Sequence, residues 1–457
     1  MRIDVSRVLF STVSIICGLG LSFAFGLYSG ANETVLYKAV TDLKTRVEEA
    51  LETTFEEAST LSRIHPKHFL QPARYEGSGV TVNDVPDQTD LILLSGFFGD
   101  TNELRLIRRD GSVVVRWPVR FWDVFPNPSH LTVPPATDWN VDTHGALVLA
   151  DGSVVFNFEG SGLVKLDRCG DLIWALPRKT HHSVERAEDG GYWVPGRRVV
   201  PQQSDSTFSP FEAPLVEDTL LRVSEDGEVL AEISVPGIFY DNGLEALLTA
   251  TGHSFQSGME WDREIVHLNK IQELTSDLAD DFPLFEAGDL ALSIREMNLV
   301  MVIDPETREI KWLRIGPWLR QHDPEFKAGG TIVVFNNNLY RTVYGTGPET
   351  SQNSIPRVSN LIEIDPVSGT YRVIYGGSKG QEMLSVVRGK HDITRKNGFL
   401  ITEFEGGRVF EVDADGHIIW EYINRYSEEE VAEITEARVY PRNYFSVSDW
   451  TCEATAE

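Results

Sequence analysis

The chain has 457 residues, with 41 Lys and Arg against 69 Asp and Glu and a formal charge of -28. This acidic balance argues against a nucleic-acid partner and against adhesion to anionic lipid, because both rely on Lys and Arg. Hydrophobic residues make up 41% of the chain, which excludes wholesale disorder. The 37 Gly and 22 Pro suit many short strands joined by tight turns.

An uncharged apolar run, residues 8–28, opens the chain. Its length matches a bilayer core and predicts a transmembrane helix, and Arg2 and Arg7 before it place the N-terminus in the cytoplasm. The alternative is a cleavable signal peptide, because Ser29-Gly30-Ala31 resembles a small-residue cleavage site. We therefore expect residues 1–31 to be a membrane anchor or signal peptide. As a single-pass anchor, it would leave the propeller domain predicted below on the periplasmic or extracellular side.

Residues 32–87 are interpreted as a helical stalk and linker. Within residues 33–62, apolar side chains recur at alternating four- and three-residue steps: Leu36, Val40, Leu43, Val47 and Ala50. This seam covers about two heptads, which is short for a coiled coil. We interpret it as a helix lying on the globular domain, with a stalk that forms a homodimer as the alternative.

One hairpin pattern recurs six times after residue 88. Each copy has an apolar strand, a turn carrying Asp with Gly or Pro, and a second apolar strand, and such turns are typical of hairpins. The copies are residues 104–117, 163–174, 220–233, 300–312, 361–374 and 409–420. Their spacing of roughly 50 to 80 residues fits four-stranded blades. We predict an all-β fold in which residues 88–457 form a six-bladed β-propeller; an open sandwich array explains the repetition poorly.

The C-terminal region is expected to close the ring. Residues 442–450 would supply the missing strand of the first blade, and residues 427–437 would form a short acidic helix before it. Three cysteines are too few for a disulfide scaffold or a Cys-based zinc module. Whether Cys169 and Cys452 pair is left open by the sequence.

Four histidines share one place in the repeat, seven or eight residues before the Gly of the first turn in a unit: His144, His182, His322 and His391. His267 opens the remaining unit. A residue just before the innermost strand of a blade lies at the mouth of the central channel, so five imidazoles are expected to converge there. Such a cluster can bind a metal, bind an anion when protonated, or supply a nucleophile with acid–base partners.

Arg295 is expected to join the histidines, because it ends the strand pair that His267 opens. A guanidinium beside imidazoles suits a sulfate or phosphate ester, since its fork matches tetrahedral oxyanions. No Asp or Glu shares the repeat position of the histidines, which makes a metal less favoured. We predict neither a metal nor another cofactor.

At these residues the sequence resembles the arylsulfate sulfotransferase family, PAPS-independent exported bacterial enzymes with a six-bladed propeller. The resemblance covers about residues 88–425 and rests on THHSVERAEDGGYWV, VHLN with the later LSIR, and QHDPEFKAGGTIVVFNN. It implies ping-pong transfer of a sulfuryl group from an aryl sulfate ester to a phenolic acceptor through a transient sulfohistidine. No cofactor is implied.

The resemblance also implies roles for individual residues. His322 matches the family's nucleophile. The positions that match its sulfate-binding and leaving-group partners are His182, His267 and Arg295. The remaining candidates would bind substrate without catalysing: His144, His391 and Asn269.

Two departures from the family are visible. Its best-known members carry a β-sandwich domain where this chain has the apolar segment and stalk, and residues 275–289 form an acidic insertion expected to alter access to the channel. The alternative function is a non-catalytic propeller that binds an anionic ligand or a protein partner at its central channel.

Overall fold

The computed structural model describes residues 5–31, 66–200, 215–249, 266–338, 359–395 and 397–452. The chain forms two compact units, Met1–Lys67 and His68–Glu457. In the first unit, helix α1 (Val5–Ala31) contains the apolar run, although some of its side chains fall outside the description. Among the residues described, no helix meets the length and apolar character needed to cross a membrane. The anchor stays a prediction, and the predicted stalk helix lies outside the described residues.

The second unit consists mainly of short strands. Its first half contains β1 (Leu70–Pro72), β2 (Gly79–Asn83), β3 (Leu91–Phe98), β4 (Thr101–Arg108), β5 (Val113–Val119), β6 (Thr143–Val148), β7 (Val154–Phe158), β8 (Gly162–Leu166), β9 (Leu172–Leu176), β10 (Lys179–Thr180), β11 (Glu185–Arg186), β12 (Tyr192–Val200), β13 (Leu215–Val223) and β14 (Val229–Ser234). Its second half contains β15 (Leu268–Glu273), β16 (Leu290–Ile294), β17 (Leu299–Ile303), β18 (Ile310–Ile315), β19 (His322–Lys327), β20 (Thr331–Asn336), β21 (Asn360–Ile364), β22 (Tyr371–Tyr375), β23 (Lys390–Ile393), β24 (Phe399–Glu403), β25 (Arg408–Val412), β26 (Ile418–Ile423), β27 (Glu430–Ala432) and β28 (Ile434–Tyr440).

Short helices connect some of these strands. The α-helices are α2 (Phe121–Val124), α3 (Val235–Asp241), α4 (Glu245–Thr249) and α5 (Ser276–Ala279). The 3-10 turns are Lys67–Phe69, Asp138–Asn140, Arg295–Met297, Phe404–Gly406 and Arg442–Tyr444.

The strands form six antiparallel blades, which confirms the predicted six-bladed β-propeller. In the order of hydrogen-bonded neighbours, the blades are β28-β3-β4-β5, β6-β7-β8-β9, β10-β12-β13-β14 with β11 also on β12, β15-β16-β17-β18, β19-β20-β21-β22, and β23-β24-β25-β26. Each predicted hairpin forms the third and fourth strands of its blade. Contacts join β11 to β15, β15 to β19, β19 to β23, β23 to β28 and β28 to β6, so the first strands surround the centre.

The propeller begins earlier in the chain than the predicted boundary at residue 88. Strand β2 pairs with β26 and adds an outer strand to blade 6, with Asn83 opposite Trp420. Strand β1 pairs with β27 in a separate two-stranded sheet. These short strands lack the Asp-containing turn of the repeat, so the repeat pattern does not predict them.

The prediction that a C-terminal strand completes the first blade is correct, but the segment predicted to form that strand is wrong. The closing strand is β28, which pairs with β3 with Ala437 opposite Leu94, whereas residues 442–444 form a 3-10 turn after Pro441. The acidic helix predicted at residues 427–437 is absent, because this stretch holds β27 and the start of β28. The acidic residues suggested an exposed helix. Glu436 is instead buried, and its Oε2 lies 2.6 Å from Lys390 Nζ.

The C-terminal tail is tied to blade 2. After β28 closes blade 1, Ser446 N donates to Ala150 O at 2.8 Å. Cys452 then forms a disulfide with Cys169, which lies between β8 and β9 and is separated from it by 283 residues in sequence. The pairing that the sequence left open is present, and it ties the tail that follows the closing strand to blade 2.

The acidic insertion follows β15 and does not lie at the end of that strand next to His267. The length of that strand therefore separates it from the histidines. Phe282 and Phe285 are buried, with ring centroids 5.1 Å and 6.0 Å from Phe326. The expectation that this insertion alters access to the channel stays a prediction, and its two phenylalanines belong to the core between blades 4 and 5.

Charged side chains from the first strands meet at the middle of the ring. We call this group the ionic centre: Glu185, Lys270, Asp323, Glu325, Lys390, Asp392, Glu436 and Arg438. Lys270 Nζ lies 2.7 Å from Glu185 Oε1 and 2.8 Å from Asp323 Oδ1. Arg438 Nη2 lies 2.7 Å from Glu185 Oε1, so one carboxylate joins three blades.

The balance of charge in the ionic centre depends on a protonated carboxyl group. Burial, with a contribution from Asp323, raises the pKa of Glu325 well above its usual range and so favours its protonated form. The three cations of the ionic centre then face three closely paired carboxylates. Burial also raises the pKa of Asp392, to about 6, although the Val439 N–H and Arg438 oppose that change.

Replacing Lys270 by Met should strongly destabilise the propeller, since Glu185 and Asp323 would lose their shared buried cation. We expect the free energy of unfolding to fall by about 3 to 5 kcal/mol, measured by urea unfolding of the full-length chain. Lys379→Met, at an exposed position, is the control and should change it by less than about 0.5 kcal/mol. Equal effects of the two substitutions would contradict the proposed role of the ionic centre.

Asp392→Asn should stabilise the protein at neutral pH. The folded-state pKa of about 6 lies above the ordinary 3.8, so the folded protein holds a proton that the unfolded chain releases, and stability falls between these pH values. Asn cannot ionise. The variant should therefore match the parent near pH 4 and exceed it above pH 6 by on the order of 1 to 3 kcal/mol. Urea unfolding from pH 4 to 8 tests this, with exposed Asp415→Asn as control; a constant difference would refute it.

Candidate active site

Four of the five predicted histidines meet at one end of the channel. His144 lies in β6, His182 between β10 and β11, His267 directly before β15, and His322 at the start of β19. The His182 ring centroid is 4.8 Å from that of His144, 5.0 Å from that of His267 and 6.0 Å from that of His322. All four residues are buried. The prediction that these residues converge is confirmed.

His391 does not join them. Its Nδ1 lies 3.5 Å from Asp323 Oδ2 and its Nε2 lies 3.7 Å from Glu325 Oε2, which places the ring beside the ionic centre. The backbone explains the difference. His391 pairs with Ile401, the third residue from the end of β24, whereas His144 and His322 pair with the next-to-last residues of their second strands, so His391 lies deeper in its blade.

A fifth imidazole comes from His181, which the sequence analysis missed. Its Nδ1 lies 2.9 Å from His182 Nδ1, and the residue is buried. The sequence carries a signal for this residue, because His181 directly precedes His182 in a His-His pair. We call His144, His181, His182, His267 and His322 the histidine cluster.

Two members of the histidine cluster have strained backbones. His182 and His267 have φ angles of 57° and 56°, in the left-handed region that non-glycine residues rarely adopt. Each strained N–H donates to a carboxylate: His182 N to Glu159 Oε2 at 3.0 Å, and His267 N to Asp218 Oδ2 at 2.9 Å. Strain of about 1 to 3 kcal/mol per residue persists only where the surroundings enforce it, and it is common at functional sites.

Glu159 supplies a carboxylate that the repeat position did not reveal. It follows β7, and its Oε2 lies 2.7 Å from His144 Nδ1, while its Oε1 lies 3.4 Å from His182 Nδ1. Burial would raise the pKa of Glu159, but the hydrogen bond from His144 and the positive charge that His144 can carry hold it well below the usual range. Glu159 is not in phase with the histidines in the repeat, because it reaches the site from the end of the next strand.

His322 is held in one tautomer by Asn337, another residue that the sequence analysis missed. The Asn337 Nδ2 donates to Ser385 O at 2.9 Å and to Arg388 O at 2.8 Å, so its Oδ1 is the acceptor that faces His322 Nδ1 at 2.7 Å. The proton of a neutral His322 is therefore on Nδ1, and the lone pair is on Nε2. That Nε2 is buried and has no hydrogen-bond partner among the described residues.

Arg295 lies beside the histidine cluster, as predicted. Its backbone N donates to His267 O at 3.0 Å, and its positive charge contributes to the low pKa of His322. Its Nη2 also donates to Glu296 Oε1 at 2.8 Å, and Arg320 lies 3.2 Å from the same oxygen. Burial would raise the pKa of Glu296, but the two arginines lower it, so Glu296 partly neutralises the cation.

Asn269 lies at the junction of blades 4 and 5. Its Nδ2 donates to Gln321 O at 2.9 Å, directly before His322, while its buried Oδ1 has no partner among the described residues. The predicted substrate-binding role is untested. The contact itself helps position the strand that carries His322.

The histidine cluster is mostly uncharged at neutral pH. Burial lowers the pKa of His144 to about 4, assisted by Arg388, and lowers those of His182 and His322 well below the usual value. The site therefore offers imidazole lone pairs and N–H donors, with Arg295 as a nearby cation. This arrangement can support nucleophilic catalysis with proton transfer, or metal binding through nitrogen and Glu159.

Comparisons with known proteins identify a related family. A sequence model described as Arylsulfotransferase (ASST) matches residues 145–425, more than half of the chain. No curated protein matches the chain.

Among solved structures, the chain is similar to a protein of unknown function from Bacteroides caccae, with 13% identity, a TM-score of 0.46, and 76% of this chain and 98% of that chain covered. It is also similar to virginiamycin B lyase from Staphylococcus aureus, with 11% identity, a TM-score of 0.38, and coverage of 78% and 88%. These similarities are too distant to bear on function.

Asn337→Ala should release the tautomer of His322. With Asn337 present, we expect the Nδ1–H form, because Oδ1 accepts only from a protonated nitrogen. Nitrogen-15 NMR of histidine-labelled protein should report that form in the parent and a larger Nε2–H fraction in the variant, in which the Arg320 carbonyl oxygen, 3.1 Å from Nδ1, is the acceptor that remains. Asn338→Ala, at the next position, is the control. An Nε2–H tautomer in the parent would contradict the assignment.

Proposed function

Because this chain belongs to the arylsulfotransferase (ASST) family, we propose that it transfers a sulfuryl group from an aryl sulfate ester to a phenol through a covalent intermediate on His322. The observation that carries this proposal is the state of His322. Its Nδ1–H is held by Asn337, and its Nε2 lone pair has no described partner within the histidine cluster. A neutral imidazole in this state is a competent nucleophile.

In the first half-reaction, the His322 Nε2 lone pair attacks sulfur and forms an N–S bond. The S–O bond to the aryl group breaks, and its electron pair leaves on the phenolic oxygen. His267, whose Nε2 lies 3.4 Å from that of His182, is the candidate to donate a proton to that oxygen, while neutral His182 would donate an N–H hydrogen bond to the sulfuryl group. Arg295 would stabilise charge on the sulfuryl oxygens, and Asn337 would accept a hydrogen bond from the sulfated, positively charged ring.

In the second half-reaction, the acceptor phenol transfers its proton to the imidazole that lost one. The phenolic oxygen then attacks sulfur, the N–S bond breaks, and its electron pair returns to His322 Nε2. Both half-reactions use the same groups in opposite directions. A ping-pong order follows, because the first phenol must leave before the acceptor can occupy its place.

We also propose that the propeller acts outside the cytoplasm, attached by the N-terminal apolar segment. The Cys169–Cys452 disulfide supports this location, because such bonds persist mainly in oxidising compartments. The exposed apolar side chains of α1, among them Leu21 and Phe23, suit contact with lipid.

One observation favours the alternative, a propeller that binds an anion or a partner protein without chemistry. The hydrogen bonds from Arg295 to Glu296 reduce the positive charge available to a sulfate ester. Binding of p-nitrophenyl sulfate without release of nitrophenol would support this alternative.

His322→Ala should abolish transfer. With p-nitrophenyl sulfate and phenol as substrates, we expect nitrophenol release by the full-length protein to fall at least about 10³-fold, because the nucleophile is removed. Intact-mass analysis after reaction with donor alone should show one added sulfuryl group on the parent protein. That addition should be absent from the variant.

The matched control is His417→Gln, whose side chain is 76% exposed and lies outside the histidine cluster. It should retain both turnover and the mass gain. Undiminished turnover by His322→Ala would overturn the assignment of the nucleophile. No turnover by the parent with any of several phenols would count against the proposed activity.

A further inference from the structure

We infer that His144, Glu159 and His182 form a binding site for a divalent transition-metal ion, with Zn²⁺ as the ion that fits best. One ligand atom from each of the three residues lies within 4.8 Å of those from the other two. This site is independent of the proposed nucleophile, because it uses neither His322 nor Asn337.

The donor set favours zinc. Two imidazole nitrogens and one carboxylate oxygen are the protein ligands of many zinc sites that keep a fourth position open for water or substrate. Calcium and magnesium prefer oxygen ligands, so a site with two imidazoles selects against them. Small adjustments would bring the three donors to the usual bond lengths of about 2.0 to 2.2 Å.

The backbone is built to bring these donors together. Gly145, next to His144, has φ 59°, and a Cβ atom there would lie 2.3 Å from His182 O. Only glycine therefore permits this approach of blades 2 and 3. His182 is itself held in the left-handed region, with its N–H on Glu159. Several unusual local features thus converge on the same three ligands.

The nitrogens that face Glu159 are the Nδ1 atoms of His144 and His182, which lie 2.7 Å and 3.4 Å from its two oxygens. A further imidazole adjoins them, because His181 Nδ1 lies 2.9 Å from His182 Nδ1. A second observation supports a ligand at this place. His144 Nε2 is buried and has no hydrogen-bond partner among the described residues, so it can carry the ring proton when Nδ1 binds a metal.

A bound ion would have a predictable effect on the proposed sulfuryl transfer. His182 would be coordinated and lost to sulfate binding or proton transfer, so Zn²⁺ should inhibit turnover and a chelator should restore it. This effect depends on the proposed function. Metal binding itself does not, so the two ideas can fail separately.

Isothermal titration of the full-length, chelator-treated protein with ZnCl₂ tests the site. We expect one Zn²⁺ per chain, and at least about tenfold weaker binding by Glu159→Gln and by His144→Gln. Glu159→Gln keeps an oxygen that can accept the His182 N–H, so this variant should fold, as thermal unfolding would verify. Co²⁺ should give visible absorption typical of nitrogen and oxygen ligands, which both variants should lose.

The control exploits a second group, Asp413, Asp415 and His417, which also places its ligand atoms within 4.8 Å but is not buried. His417→Gln should leave Zn²⁺ affinity unchanged. Loss of binding in His417→Gln, equal binding by the parent and Glu159→Gln, or no binding by the parent would each overturn the inference. Persistent binding with no sulfuryl transfer would refute only the proposed function.

Discussion

The buried ionic centre is the constraint on which the site depends. Lys270 joins carboxylates from blades 3 and 5, and Arg438 on the closing strand reaches the same Glu185. These charges lie one to three residues after members of the histidine cluster: Asp323 follows His322, Lys270 follows His267 and Glu185 follows His182. Because unpaired buried charges are strongly unfavourable, the pairs set the register of the first strands. That register holds the imidazoles together.

The same design explains how an acidic protein presents a site suited to an anion or a metal. The charge of -28 describes the whole chain, whereas burial lowers the pKa values of His144, His182 and His322, and Lys270, Lys390 and Arg438 pair with central carboxylates. A ligand therefore meets local groups and not the net charge. These groups are the His322 lone pair, the Arg295 guanidinium with its charge partly neutralised by Glu296, and Glu159 between two imidazoles. Arg295 and Glu159 favour different ligands, a sulfuryl group near the first and a metal ion near the second.

The repeat predicted more than the blade count. Because one hairpin occupies the same place in every blade, the phase carried over to three dimensions for His144, His182 and His322, and His267 joins them from the start of its own unit. It failed for His391, which pairs deeper in its blade and lies beside the ionic centre. It could not reveal Glu159 or Asn337, which follow second strands and have no counterpart in phase with the histidines. The helix predicted at residues 427–437 was wrong for another reason, since the sequence does not show that Glu436 is buried and paired with Lys390 inside the ring.

The sequence by itself determined the features that arise from local rules: hairpins from Asp-containing turns and alternating apolar residues, six blades from their repetition, and the family from ordered motifs. The tertiary structure alone decided that β28 closes the ring, that Cys169 meets Cys452, and that Asn337 orients His322. It also decided the protonation of the buried groups. The physical reason is that turns and periodicity act between near neighbours in the chain. Burial, pairing of charges and the choice of tautomer depend on residues that only the closed ring brings into contact.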